Sequence, residues 1–214
     1  MTTQELDFPA TADVKGDKAK QRQILAGACR VFLEQGFDAA SMGAIAREAG
    51  VSKGTLYVYF KSKEELFEAI VEEQRDQQAE RIFQALQDDA DIETVLTTVG
   101  ESFVRFLCQP SGISPLRTVL AIADRMPDLG ARFYRTGPGR GIANLKSYLE
   151  RQVAAGVLIP HDCEVTAAQF MDASLSLTFK PLMFNAAGQP TDAQIRRVVG
   201  TAVTTFLRAY RVKS

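Results

Sequence analysis

The stretch A-G-V-S-K-G-T-L-Y-V-Y-F, Ala49 to Phe60, decides how this chain folds. Gly50 supplies the backbone freedom of a tight turn, and Ser52 is a natural N-cap for a helical run to about Tyr59. Just upstream, Ser41 is placed to cap another short helix, which carries Met42, Ile45, Ala46 and Ala49 and stops at Gly50. Two short helices joined by such a turn have the proportions of a helix-turn-helix, whose second helix enters the major groove of DNA. Working outward, Ile24, Leu25, Ala28, Val31 and Phe32 recur at helical spacing from about Lys20, with Gly36 as a stop and Phe37 beyond it. On the other side S-K-E-E, Ser62 to Glu65, is a capping box opening a fourth helix with Leu66, Phe67, Ile70 and Val71 inward, to about Leu86.

Within the third helix, Leu56 and Phe60 fall on the buried side, while Lys53, Gly54, Thr55, Tyr57 and Tyr59 lie on or beside the exposed one. Hydroxyls and phenols there bond phosphates or base edges, and Gly54 lets the backbone approach a duplex. Lys63, at the positive N-terminal end of the fourth helix, is placed to meet a phosphate. Charge agrees with a polyanion partner. The total is only -1, yet Lys18 to Lys63 carries eight Lys or Arg against three acidic residues, a net +5, while residues 1–17 and 64–214 each sum to -3.

The Ala49 to Phe60 motif, followed by K-S-K-E-E-L, resembles the signature of the tetracycline-repressor (TetR) family, and the resemblance covers about Lys20 to Val71. It implies a homodimer on double-stranded operator DNA, with DNA contacts at the positions of Lys53, Thr55, Tyr57, Tyr59 and Lys63. With the capping serines and Gly54, the candidate DNA-binding set is Ser41, Ser52, Lys53, Gly54, Thr55, Tyr57, Tyr59 and Lys63. One departure is Gly43, which stands where some members carry a base-reading arginine.

The expected fold is all-α: an arm without assigned structure over residues 1–17, a three-helix DNA-binding domain over 18–63, and an effector-binding and dimerisation bundle over 64–214. Helical periods in the bundle cover about Ile92 to Leu107, Pro115 to Arg125, Ile142 to Ala155, Val165 to Ala187 with a kink at Pro181, and Thr191 to Tyr210. The last of these opens on a capping box, Thr191 to Gln194, and carries a stripe from Ile195 to Tyr210. With the Phe170 to Phe184 run it offers more apolar surface than one chain easily covers, so the last two long helices are expected to pair with their copies across a two-fold axis.

Phe103, Phe106, Phe133, Tyr134, Phe170 and Phe179 are spread over several helices and are candidate lining for a small apolar or amphipathic effector that releases the DNA; the alternative is a filled core, with control by a protein partner or by DNA alone. M-P-D-L-G-A-R-F-Y-R-T-G-P-G, Met126 to Gly139, resembles the C-terminal region of a subset of the family. Gly137 to Gly141 lacks a phosphate-loop ending and reads as a turn before a helix. A single histidine, His161 in a polar link, and three scattered cysteines, Cys29, Cys108 and Cys163, suggest no metal site, no cofactor and no catalytic residue. With 46% apolar and 24% charged residues and no long apolar run, the expectation is a cytoplasmic protein without a membrane partner.

Overall fold

The computed structural model describes residues 11–70, 86, 90–124 and 126–213, and among them it contains helices and no strand beyond one isolated bridge, Leu158 to Arg211. None of the helices it describes is long and apolar enough to cross a membrane. The chain divides into two compact units, Met1–Ile70 and Val71–Ser214, a later boundary than the expected one after Lys63 because the start of the fourth helix packs with the first unit.

In the first unit α1 spans Thr11–Ala39, with a non-helical break at Gly36 (φ 76°, ψ 163°), and is followed by α2 (Met42–Glu48), α3 (Lys53–Tyr59) and the described part of α4 (63–70). Residues 11–17, expected to have no structure, belong to α1; residues 1–10 and the expected run of α4 from 71 to 85 lie outside the described residues. Phe32, Phe37 and Phe67 form a ring cluster with centroids 5.4 to 5.9 Å apart, which ties α1 to α4. A Cβ on Gly27 would lie 2.7 Å from Ala49 Cα, so α1 and α2 meet at a distance that only glycine allows. Gln23 Nε2 donates to Ala49 O at 2.8 Å, and Arg30 pairs with Glu48 at 2.6 Å, fixing the end of α2 just before the turn.

The second unit contains α5 (Ile92–Cys108), α6 (Pro110–Ile122), α7 (Pro127–Tyr134), a π-helical turn (Arg135–Gly139), α8 (Arg140–Ala154), α9 (Cys163–Leu175), α10 (Phe179–Met183) and α11 (Asp192–Tyr210). Three expectations are corrected. The helix expected from Pro115 begins at Pro110, because a proline at the first helical position needs no N–H partner. Gly137 to Gly141 is not a turn ahead of a helix: Gly137 to Gly139 end a π-helical segment and Arg140 and Gly141 begin α8, the wider ring accommodating Pro138, which would clash with the carbonyl four residues back in an α-helix. The helix expected over 165–187 breaks at Ser176–Thr178, ahead of Pro181. There Ser176 and Thr178 hydroxyls donate to Ala173 O and Leu175 O, competing with the helical ladder, and Pro181 sits in the first turn of α10, where proline is tolerated.

The capping box predicted at Thr191 is present and opens α11. Its stripe is satisfied within the chain: Ile195, Val198, Val199, Ala202, Val203, Phe206 and Leu207 are all buried, with α11 packed on α5 and α9. A Cβ on Gly100 would lie 2.7 Å from Val199 Cγ1, so α5 and α11 are in close contact there. Most of the stripe is therefore covered within the chain rather than left over, while its edge at Val198, Ala202, Phe206 and Tyr210 lines an open groove.

Candidate nucleic-acid interface

The turn between α2 and α3 is closed by two backbone bonds, Gly50 N to Arg47 O at 3.1 Å and Val51 N to Ala46 O at 2.9 Å, with Gly50 at φ +64°. This is the Schellman pattern, in which the residue after the helix takes the left-handed conformation that glycine adopts without a steric penalty. Ser41 Oγ accepts from Ala44 N at 3.2 Å and Ser52 Oγ from Thr55 N at 2.9 Å, so both serines act first as helix caps. Ser52 Oγ and Thr55 Oγ1, 2.8 Å apart, also share a hydrogen bond.

On α3, Leu56 is fully buried and the cap residue Phe60 is buried behind it; Lys53, Gly54 and Tyr57 are exposed, and Thr55 and Tyr59 are half-exposed. Val58, 81% exposed, is a further member of this face, and apolar side chains on a groove-entering helix meet thymine methyls. It escapes a reading that treats aliphatic residues as core. Its position, about 200° round the helix from Leu56, is the signal that finds it. A Cβ on Gly43 would lie 3.1 Å from Lys53 Cε and 3.4 Å from Nζ, so the Lys53 stem crosses α2 where a side chain would otherwise stand. A cation is thus present near the position where some members carry arginine.

Two members of the expected set have partners within the chain. The Tyr59 hydroxyl donates to Asp17 Oδ1 at 2.5 Å, a bond that holds the phenol above its usual titration range. Lys63 Nζ donates to the carbonyls of Phe37, Asp38 and Ala40 at 2.9, 3.0 and 3.4 Å and lies over the Phe37 ring at 4.7 Å. Its three protons match three carbonyls that lie beyond the break at Gly36. Lys63→Met should accordingly lower unfolding stability by about 1–2 kcal/mol and leave the salt dependence of DNA binding unchanged. A drop of about 2 in the log-log salt slope of a dimer, with stability intact, would instead restore a phosphate contact.

The candidate effector residues are distributed between core and surface of the second unit. Phe170 is buried against Phe206, ring centroids 5.9 Å apart, and near Gly100; Phe103 and Phe179 pack on the same core, Phe106 and Phe133 are half-buried, and Tyr134 is 57% exposed. Tyr148, which sequence reasoning passed over, is 2% exposed and its hydroxyl has no hydrogen-bond partner among the described residues. Burial pushes this phenol up to about 12, so it stays a donor at any working pH. His161, in the link expected to be polar, is half-buried beside Tyr210 with ring centroids 4.4 Å apart. Burial raises the thiols of Cys29, Cys108 and Cys163, which keeps them protonated.

Residues 24–70 match the family described as bacterial regulatory proteins, tetR family, and residues 94–212 match AefR-like transcriptional repressor, C-terminal domain. The chain is 35% identical over 103 residues to the HTH-type transcriptional activator FasR of Mycolicibacterium smegmatis, a match covering 46% of this chain and 47% of that protein. It is 33% identical over 86 residues to the fatty acid metabolism regulator protein of Bacillus subtilis, covering 40% and 44%. The chain thus spans less than half the length of these curated relatives. Among solved structures, a TetR-family transcriptional regulator of Mesorhizobium loti is 28% identical with a TM-score of 0.81, covering 91% of this chain and 98% of that one. The flavonoid-responsive regulator FrrA is 29% identical with a TM-score of 0.69, covering 92% and 100%.

Proposed function

Because the chain belongs to the TetR family of bacterial transcriptional regulators, we propose that it is a repressor that reads a pseudo-palindromic operator as a homodimer and is released by a small amphipathic effector. The observation that carries DNA reading is the face of α3, where Lys53, Gly54, Tyr57 and Val58 are exposed and Thr55 half-exposed, behind a turn held by Gly50 and Ser52. Lys53 and Thr55 suit phosphates, and Tyr57 and Val58 suit base edges. The sign of regulation follows the C-terminal match, whose family is described as repressors. Selection from a pool of random duplexes tests the reading. It should enrich an inverted repeat whose halves lie about one helical turn apart, and a pool that stays random would refute it.

The pairing surface is the outward side of α9 and α11. Gln169, Ala173, Ser176, Leu177, Thr201 and Thr205 line an open groove of about 540 Å³ floored by buried Phe170 and Phe206, and Leu177 is 66% exposed. Small side chains on both helices allow close approach of a second pair, and Leu177 gives it an apolar anchor.

For the effector, two observations lend support. FrrA, similar along nearly its whole length, is flavonoid-responsive, and the buried Tyr148 hydroxyl, without a hydrogen-bond partner among the described residues, offers a polar handle inside an apolar bundle. Tyr148→Phe should therefore leave melting unchanged or slightly higher in the free protein and weaken the rise in Tm caused by an amphipathic phenolic ligand. If no compound of such a panel raises the Tm of the unaltered protein, control by DNA or a protein partner alone is favoured.

A further inference from the structure

We propose that in the free protein the Asp17 carboxylate occupies the place of a DNA phosphate on Tyr59, so that binding exchanges one anion for another. The proposal rests on the DNA-binding reading above and adds a self-contact that sets the affinity. At 2.5 Å, the bond from Tyr59 Oη to Asp17 Oδ1 has the length of a charge-assisted O–H···O⁻ contact. A phenol has one proton to donate. While it points at Asp17, Tyr59 presents only lone pairs to a phosphate, and the carboxylate beside it repels one.

The chain position of Asp17 fits this role. It is the last residue of an acidic segment, residues 1–17 with net charge -3, and directly precedes the basic stretch from Lys18 to Lys63. It lies on α1, 42 positions before Tyr59, and both ends of the bond are reached by solvent. An exposed pair of this kind is weakly held in net terms, so a phosphate arriving with its neighbours can displace it. Helix α1 thereby carries a built-in competitor for one backbone contact per half-site.

A double-mutant cycle on a duplex at fixed salt tests this, using Asp17→Ala, Tyr59→Phe and the double variant in the full chain. Asp17→Ala should tighten binding about 2- to 25-fold for two copies, on operator and random duplex alike. Tyr59→Phe should then weaken binding several-fold more in the Asp17→Ala background than in the unaltered one, because only there is the phenol's proton free for the phosphate. Equal losses in both backgrounds would make Asp17 a charge acting at a distance and overturn the exchange. So would weaker binding by Asp17→Ala, which would make it a positioning residue for Tyr59. Should Asp17→Ala fail to fold, Asp17→Ser serves the same cycle. If the unaltered protein binds no duplex, the DNA-binding reading fails and the exchange fails with it; if it binds and the cycle is additive, the exchange alone fails.

Discussion

Val199→Asp is expected to abolish folding of the single chain rather than to separate two chains. Val199 is fully buried, and its Cγ1 lies against the one surface of α5, at Gly100, that has no side chain. Losing the valine removes about 1.5–3 kcal/mol of burial, and placing a carboxylate there without a partner adds several kcal/mol more. That sum is of the order of the whole stability of a typical domain, about 5–15 kcal/mol. The variant should be insoluble or show no cooperative melting transition. A soluble Val199→Asp protein with wild-type helicity and reduced mass in sedimentation would instead place this stripe between chains.

Ala173→Arg combined with Thr205→Arg should have the opposite consequence. Both side chains line the open groove and are exposed in the single chain, so each folded protomer tolerates the longer residue. In a symmetric pair the new guanidinium groups fill the groove from both sides and repel one another. The product should be a folded monomer, and its affinity for an inverted repeat should fall by about 10³-fold, toward the range of non-specific binding. A double variant that sediments as a dimer and keeps its operator affinity would move the pairing surface elsewhere. Together the two variants separate what the chain buries for itself from what it leaves for a copy.

The helix-turn-helix was legible in the sequence because its determinants are local. Ser41, Gly50 and Ser52 act on backbone groups within a few residues, and Leu56 and Phe60 follow from helical period alone. The capping box at Thr191 was legible for the same reason. What the sequence left open depends on long-range geometry. The stripe of α11 looks identical whether α5 and α9 or a second chain covers it, and Gly100, the residue that admits Val199, lies in a different helix. Lys63 and Tyr59 were placed correctly along their helices, but their partners Phe37, Asp38, Ala40 and Asp17 come from α1 and the segment after it, 23 to 42 positions away. Ser176 and Thr178 break a helix through hydroxyl bonds that a hydrophobic pattern does not register.

Reading of base edges by the exposed face of α3 is tested most directly by Tyr57→Ala, since Tyr57 is exposed and none of the hydrogen bonds described within the unit uses its hydroxyl. The measurement is fluorescence anisotropy on the selected inverted repeat and on a scrambled duplex of the same composition, with circular dichroism showing that the variant is folded. The expected result is a loss of about 1–3 kcal/mol per half-site on the inverted repeat and a smaller loss on the scrambled duplex, so that the preference between them shrinks. A folded Tyr57→Ala protein that keeps the full preference, or loses affinity equally on both duplexes, would contradict the account.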